Sequence, residues 1–247
     1  LAELLGLAVL PWLFWALSGA RSGSPTFLLA TALATAALVL SHNPTAILGL
    51  SFAVLWAAWL TFEPLAGEGT LRRWLSRALP MALGLALGMG LSAFFWLPAT
   101  AEAAATRLDL VGGRENVLHL LRGGPRLVLD KLLYDYPGIP QFGLVQAVLA
   151  AGGSLALLAF GSGIARRKTL AQVTLLAVAL GLNTPLSEPF WAHAPLVGAM
   201  SFPWRLVGMG SLPAAMLAGG LAAVGPLGLR LTALGLAGVA SLAASLA

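Results

Sequence analysis

The chain has 247 residues, of which 59% are hydrophobic and 9% charged, with a mean hydropathy of +0.89 and a formal net charge of +5. Too few polar residues are present to coat a water-soluble core, so the composition predicts a polytopic membrane protein. The long Leu, Ala and Gly runs lack the period-2 alternation of a membrane barrel, which leaves an all-α bundle whose backbone groups pair within each helix.

Spans of roughly 17 to 25 apolar residues are predicted at 2–20, 26–41, 45–62, 78–98, 143–161, 169–183, 206–224 and 231–247. These eight form a single transmembrane region, 1–247, and the first is read as a span rather than a signal peptide because no basic n-region precedes it. An apolar run already under way at Leu1 is expected of the C-terminal part of a longer protein. Alternating the sides puts Arg21, Arg72, Arg73, Arg77, Arg166, Arg167, Lys168 and Arg230 in one set of loops with Glu63 and Glu68, a net +6. The other set holds six cations and six acids and is neutral. The positive-inside rule makes the first set cytoplasmic and the second extracytoplasmic. Cations dispersed in this way orient a membrane chain and do not form a nucleic-acid stripe, despite a pI near 10.7. Gly84 with Gly88, and Ala215 with Gly219, are small-xxx-small pairs expected at helix contacts, and Pro213 is a predicted kink.

The longest interruption, 101–142, alternates leucines with charges and is punctuated by Gly112-Gly113 and Gly123-Gly124-Pro125. It is predicted to be an extracytoplasmic loop of short amphipathic helices lying on the bilayer. Its Asp130, Lys131, Tyr134, Asp135 and Tyr136 fit either a carbohydrate surface or a solvated loop.

Candidate site residues fall on the outer side. Glu3 lies near the outer end of the first span, where a carboxylate reaches water cheaply. In Ser41-His42-Asn43-Pro44-Thr45, Asn43 is a predicted N-cap and Pro44 the first helical residue. His42 is then free for work as a base, as a donor to sugar or phosphate, or as an interfacial polar group. Ala93 to Pro98 sets aromatics at the interface, with Trp96 read as belt and Glu102 as an acid just beyond. Ser187 is a predicted cap for a short helix with Glu188 in its first turn. Ser201-Phe202-Pro203-Trp204-Arg205 sets a cation at a helix N-terminus, against the helix dipole. An anionic partner resolves that conflict: Glu188, a lipid headgroup or a substrate phosphate, the last two suiting a planar guanidinium. Snorkelling among the tryptophans is the other reading. His42, His119 and His193 are too scattered for a metal motif, the chain has no cysteine, and an oxygen-ligated divalent ion is the one metal type left open. No other cofactor is evident.

With these motifs in this order, the chain resembles bacterial polytopic membrane proteins labelled "6-pyruvoyl-tetrahydropterin synthase-related", similar to YfhO-like and other GT-C glycosyltransferases. The pterin part of that label implies clustered histidines in a soluble domain, which this sequence lacks. The resemblance implies a multi-pass protein of the bacterial inner membrane that moves a sugar from a polyprenyl-phosphate donor to an extracytoplasmic acceptor. It implies His42, Asn43, Glu102, Trp204 and Arg205 as substrate-binding residues, with membrane lipid as partner and no nucleic acid. The acidic residue that such enzymes carry in their first outer loop has no counterpart here, so the catalytic residue is expected upstream of Leu1. A transporter or flippase for a lipid-linked substrate, and a non-catalytic membrane scaffold, are the alternatives.

Overall fold

The structure is a computed structural model that describes residues 2–63, 71–102, 126–128, 141–193, 205–224, 230–232, 234–235 and 238. It divides into two compact units, Leu1–Leu108 and Asp109–Ala247. The fold is all-α, as the composition requires.

In the first unit α1 (Ala2–Ala20), α2 (Pro25–Ser41), α3 (Asn43–Phe62), α4 (Leu71–Leu91) and α5 (Ala93–Ala101) follow one another. Pro25 opens α2 at a position where its missing N–H costs nothing. α4 presents Arg77, Met81, Gly84 and Gly88 as its buried stripe, a spacing that keeps all four on one face. Gly84 meets Thr31 of α2, and Gly88 meets Thr35 and the Ala32 carbonyl, so α2 and α4 run side by side in the same direction. Both glycines thus do what their spacing predicted. α1 packs on α3 through Phe14, stacked on Trp56 with centroids 5.7 Å apart, and Trp56 Nε1 donates to Ser18 Oγ at 3.2 Å.

One end of this unit collects charge. Arg21 pairs with Glu63 at 2.5 Å, and Arg77 donates from one nitrogen to the carbonyls of Thr61 (3.2 Å) and Glu63 (3.0 Å). A cation on the last carbonyls of α3 satisfies orphan acceptors and complements the helix dipole. The predicted loop position of Arg72, Arg73 and Arg77 is corrected here: α4 begins at Leu71, seven residues before the expected start at 78. Arginine is a good helix former, so the helix continues past its apolar part.

In the second unit a short parallel pair, β1 (Arg126–Val128) with β2 (Gln141–Gly143), precedes α6 (Leu144–Phe160) and α7 (Gly163–Gly181). A 3-10 turn (Pro185–Ser187), α8 (Glu188–His193), α9 (Arg205–Ala218) and α10 (Gly220–Ala223) follow. β1 corrects the expectation of amphipathic helix at 126–128, where the β-branched Val128 favours the extended chain. Most of the rest of 101–142 lies outside the described residues. Ser162 caps α7, its hydroxyl accepting from the Ala165 N–H at 3.3 Å, so α7 starts six residues before the predicted 169 and carries Arg166, Arg167 and Lys168 on a helix. Gly210 of α9 faces Leu176 and Ala179 of α7. Gly153 of α6 meets the Leu217 carbonyl, and Gly220 meets Leu157 and the Gly153 carbonyl. Close approach therefore falls to Gly153 and Gly220, whereas Ala215 and Gly219 are exposed. α9 keeps Pro213 inside it, and a turn at Gly219 separates it from α10.

Helices stand at seven of the eight predicted spans; the eighth, 231–247, lies almost wholly outside the described residues. Four stretches, at α1, α3, α4 and Arg205–Ala223, are long and apolar enough to cross a membrane. A fifth arises if α7 and Pro185–His193, bent by 87°, count as one span. α2 and α6 have 17 residues each, at the lower limit for a crossing.

Candidate functional site

A single residue, His42, joins α2 to α3. It is the C-cap of the first and the N-cap of the second, with extended backbone (φ −165°). Its Nδ1 lies 2.8 Å from Oγ1 of the buried Thr45, and its carbonyl accepts from the Ala46 N–H at 2.8 Å. The expectation of an Asn43 cap is corrected: Asn43 is already helical and exposed, and Pro44 is one position further in. His42 is thus part of the turn it was expected to be free of. Proline two residues on still marks a helix start, and His42 occupies the N-cap position by its extended backbone, with its ring turned to the Thr45 hydroxyl and no side-chain bond to the helix N–H groups.

Gly6 of α1 lets that helix close on this turn, since a Cβ there would sit 2.7 Å from Thr45 and 3.0 Å from Ser41 Oγ. Half-exposed Glu3 lies one turn before Gly6, at the same end. α4 runs parallel to α2, so α5 and its C-cap Glu102 belong to this end too. Glu102 is exposed, and its N–H donates to the Pro98 carbonyl at 2.9 Å. Trp96 donates from Nε1 to the Met89 carbonyl at 2.9 Å, tying α5 to the last turn of α4. Among its described residues the first unit therefore sorts its ionisable groups: Glu3, His42 and Glu102 at one end, Arg21, Glu63, Arg72, Arg73 and Arg77 at the other.

In the second unit Arg205 opens α9 at the level where α7 ends, partly buried with its Nε enclosed. Trp204 lies outside the described residues, as do Asp130 and the tyrosines near it. At the end of α7, Asn183 is fully buried and donates from Nδ2 to the Ala179 carbonyl at 2.8 Å. That bond fixes the amide's orientation, because only nitrogen can donate to a carbonyl. Trp191 is buried and pins the corner through Nε1 to the Leu182 carbonyl at 2.9 Å. Ser187 does not cap α8: its hydroxyl turns to the carbonyls of Leu182 (2.9 Å) and Thr184 (2.7 Å), which stabilises the 87° bend. Glu188 does open α8.

Sequence reading missed Gln172. It lies midway along α7, is 3% exposed, and neither amide atom has a hydrogen-bond partner among the described residues. A lone glutamine in an apolar run was the available signal. Burying an unpaired amide costs about 1–3 kcal/mol, so Gln172→Leu is expected to raise unfolding stability in detergent by about 1 kcal/mol. A fall in the denaturation midpoint would reveal a partner for the amide.

Among the described residues no group of three or more His, Asp or Glu could hold a metal ion. Of the five sequence candidates, His42, Asn43 and Glu102 share one end of the first unit, and Arg205 opens α9 in the second. Comparison with protein-family models, with curated proteins and with solved structures gives no match for this chain.

Proposed function

We propose that the chain is the distal transmembrane part of a GT-C-type glycosyltransferase of the bacterial inner membrane. In this reading it moves a sugar from a polyprenyl-phosphate donor to an extracytoplasmic acceptor. The observation that carries the reading is the sorting of polar groups within each unit. Cations gather where α3 meets α4 and where α6 meets α7, while Glu3, His42, Glu102 and Arg205 occupy the opposite helix ends. By the positive-inside rule those opposite ends face outward, where a lipid-linked phosphate presents its sugar. Arg205 binds the phosphate with a planar guanidinium, His42 and Asn43 border the donor, and Glu102 borders the acceptor.

The test is transfer by the full-length protein from polyprenyl-phosphate sugars, with Arg205→Ala alongside. Loss of a charge-assisted phosphate contact of about 2–3 kcal/mol corresponds to roughly a 30- to 150-fold drop in kcat/KM. Unchanged transfer would remove Arg205 from the mechanism, and absence of transfer by the unaltered protein would remove the enzyme.

The 87° break after α7 and the buried amide of Gln172 midway along it favour a second reading, a carrier or flippase for a lipid-linked substrate. Such proteins place polar groups and interrupted helices within the membrane. Movement of a labelled lipid across reconstituted vesicles, without sugar transfer, would decide for it.

A further inference from the structure

The cationic end of the first unit is not matched by its own acids. Arg21, Arg72, Arg73 and Arg77 stand there against Glu63, and Glu68, outside the described residues, lowers the net charge only to +2. Arg21 is taken up by the buried Glu63 carboxylate, and Arg77 by the carbonyls of Thr61 and Glu63. Arg72 and Arg73, in the first turn of α4, are exposed and have no acceptor among the described residues. Two adjacent guanidiniums without a protein partner call for an anion from outside, and their planar forks suit a phosphate.

The residues that follow along α4 tell which kind of phosphate. At 100° per residue, Arg72, Ser76, Leu79 and Leu83 share a stripe about 60° wide, and all four are exposed. The stripe that packs α4 into the unit, Arg77, Met81, Gly84 and Gly88, is turned about 140° away from it. Read from the helix start, the outward stripe is a cation, a hydroxyl and two leucines, the order met along a phospholipid from its phosphate to its acyl chain. Leu79 and Leu83 follow about 10 and 16 Å beyond Arg72, which keeps them within one leaflet of a hydrocarbon core about 30 Å thick. α4 is one of the helices long and apolar enough to cross such a core. Trp74, edge to face with Phe62 of α3 at 5.6 Å, sets a tryptophan beside the arginines, as at headgroup level.

We propose that the start of α4 binds an anionic phospholipid of the leaflet at the Arg21 end, with Arg72 and Arg73 on its phosphate and Leu79 and Leu83 along its acyl chain. Charge selects the anionic class. A zwitterionic headgroup brings an ammonium that needs an acid, and Glu63, the described acid at this end, is buried and already paired with Arg21. The site rests on α4 lying in a membrane and not on sugar transfer, so the failure of either leaves the other standing.

The experiment titrates the 247-residue chain in maltoside micelles with fluorescent phosphatidylglycerol or with phosphatidylcholine of the same acyl chains, read by anisotropy. An arginine beside an anionic headgroup is worth about five-fold in affinity, so phosphatidylglycerol is expected to bind about 25-fold more tightly. Arg72→Gln combined with Arg73→Gln should abolish that preference without moving the unfolding midpoint, since both side chains are exposed. Arg72→Lys combined with Arg73→Lys keeps the charge and should keep most of the preference. Arg166→Gln combined with Lys168→Gln removes the same charge from exposed positions of α7 and should change affinity less than about two-fold. Glycerol phosphate, an anion without a tail, should not displace the lipid at equal concentration. Equal affinity for the two lipids, a preference that survives the glutamine pair, an equal loss from the α7 pair, or displacement by glycerol phosphate would each overturn the proposal.

Discussion

Gly88→Leu is expected to separate α4 from α2 and to cost the folded bundle about 3 kcal/mol or more. A Cβ at this position would land on Thr35 and, at 2.5 Å, on the Ala32 carbonyl. Thr35 is fully buried and the carbonyl is backbone, so neither can move aside without shifting a helix. Overpacking of this kind usually costs about 1–3 kcal/mol, and leucine adds three further carbons to the clash. Gly90 supplies the control, because nothing lies within 4 Å of a Cβ there. Gly90→Ala should leave stability unchanged or raise it by up to about 1 kcal/mol through helix propensity. Equilibrium unfolding in mixed detergent, read for both variants, checks the pair. Equal behaviour of the two would mean that α2 and α4 do not pack through Gly88.

Arg77→Met should be nearly as damaging. The guanidinium is 8% exposed and holds the carbonyls of Thr61 and Glu63 at the end of α3. Methionine keeps most of the side-chain volume and removes every donor, leaving two buried acceptors unmet. Hydrogen bonds from a charged donor contribute about 1.5–3 kcal/mol each, so a loss of about 3 kcal/mol is expected for the two together. Arg77→Lys should recover most of it, since both bonds leave one nitrogen and an ammonium likewise carries several donors on one atom. Arg21→Met leaves the Glu63 carboxylate, 6% exposed, without its ion-pair partner and should cost about as much as Arg77→Met. Denaturation midpoints check the variants, and an Arg21→Met midpoint equal to that of the unaltered chain would contradict this.

What the sequence made legible follows the physics of each signal. Apolar length located helices at seven spans because hydrocarbon forces backbone pairing wherever it is met. The same signal misplaced the starts of α4 and α7, since it stops counting at the first cation while the helix does not. Gly84 and Gly88 were readable as a contact because α4 is regular, so spacing fixes the face. Ala215 and Gly219 had the same spacing and no partner helix among the described residues, and nothing in one strand of sequence says which face a neighbour will choose. His42 illustrates a different blindness. Proline two residues on announced a helix start, but the N-cap position fell to His42, and its pairing with Thr45 depends on the turn's geometry. The Arg21–Glu63–Arg77 arrangement joins residues up to 56 apart in the chain, and Gln172 gave no pattern at all.

The one-residue connection at His42 also constrains how the protein is made. Two apolar helices joined by a single residue leave no loop that could wait on either side of the bilayer, and neither helix carries a charged residue to hold one end back. Were both helices to cross the bilayer, they would have to enter it together as a hairpin, with Ser41, His42 and Asn43 at its tip and the orientation of the pair set in one event by the cations at its base.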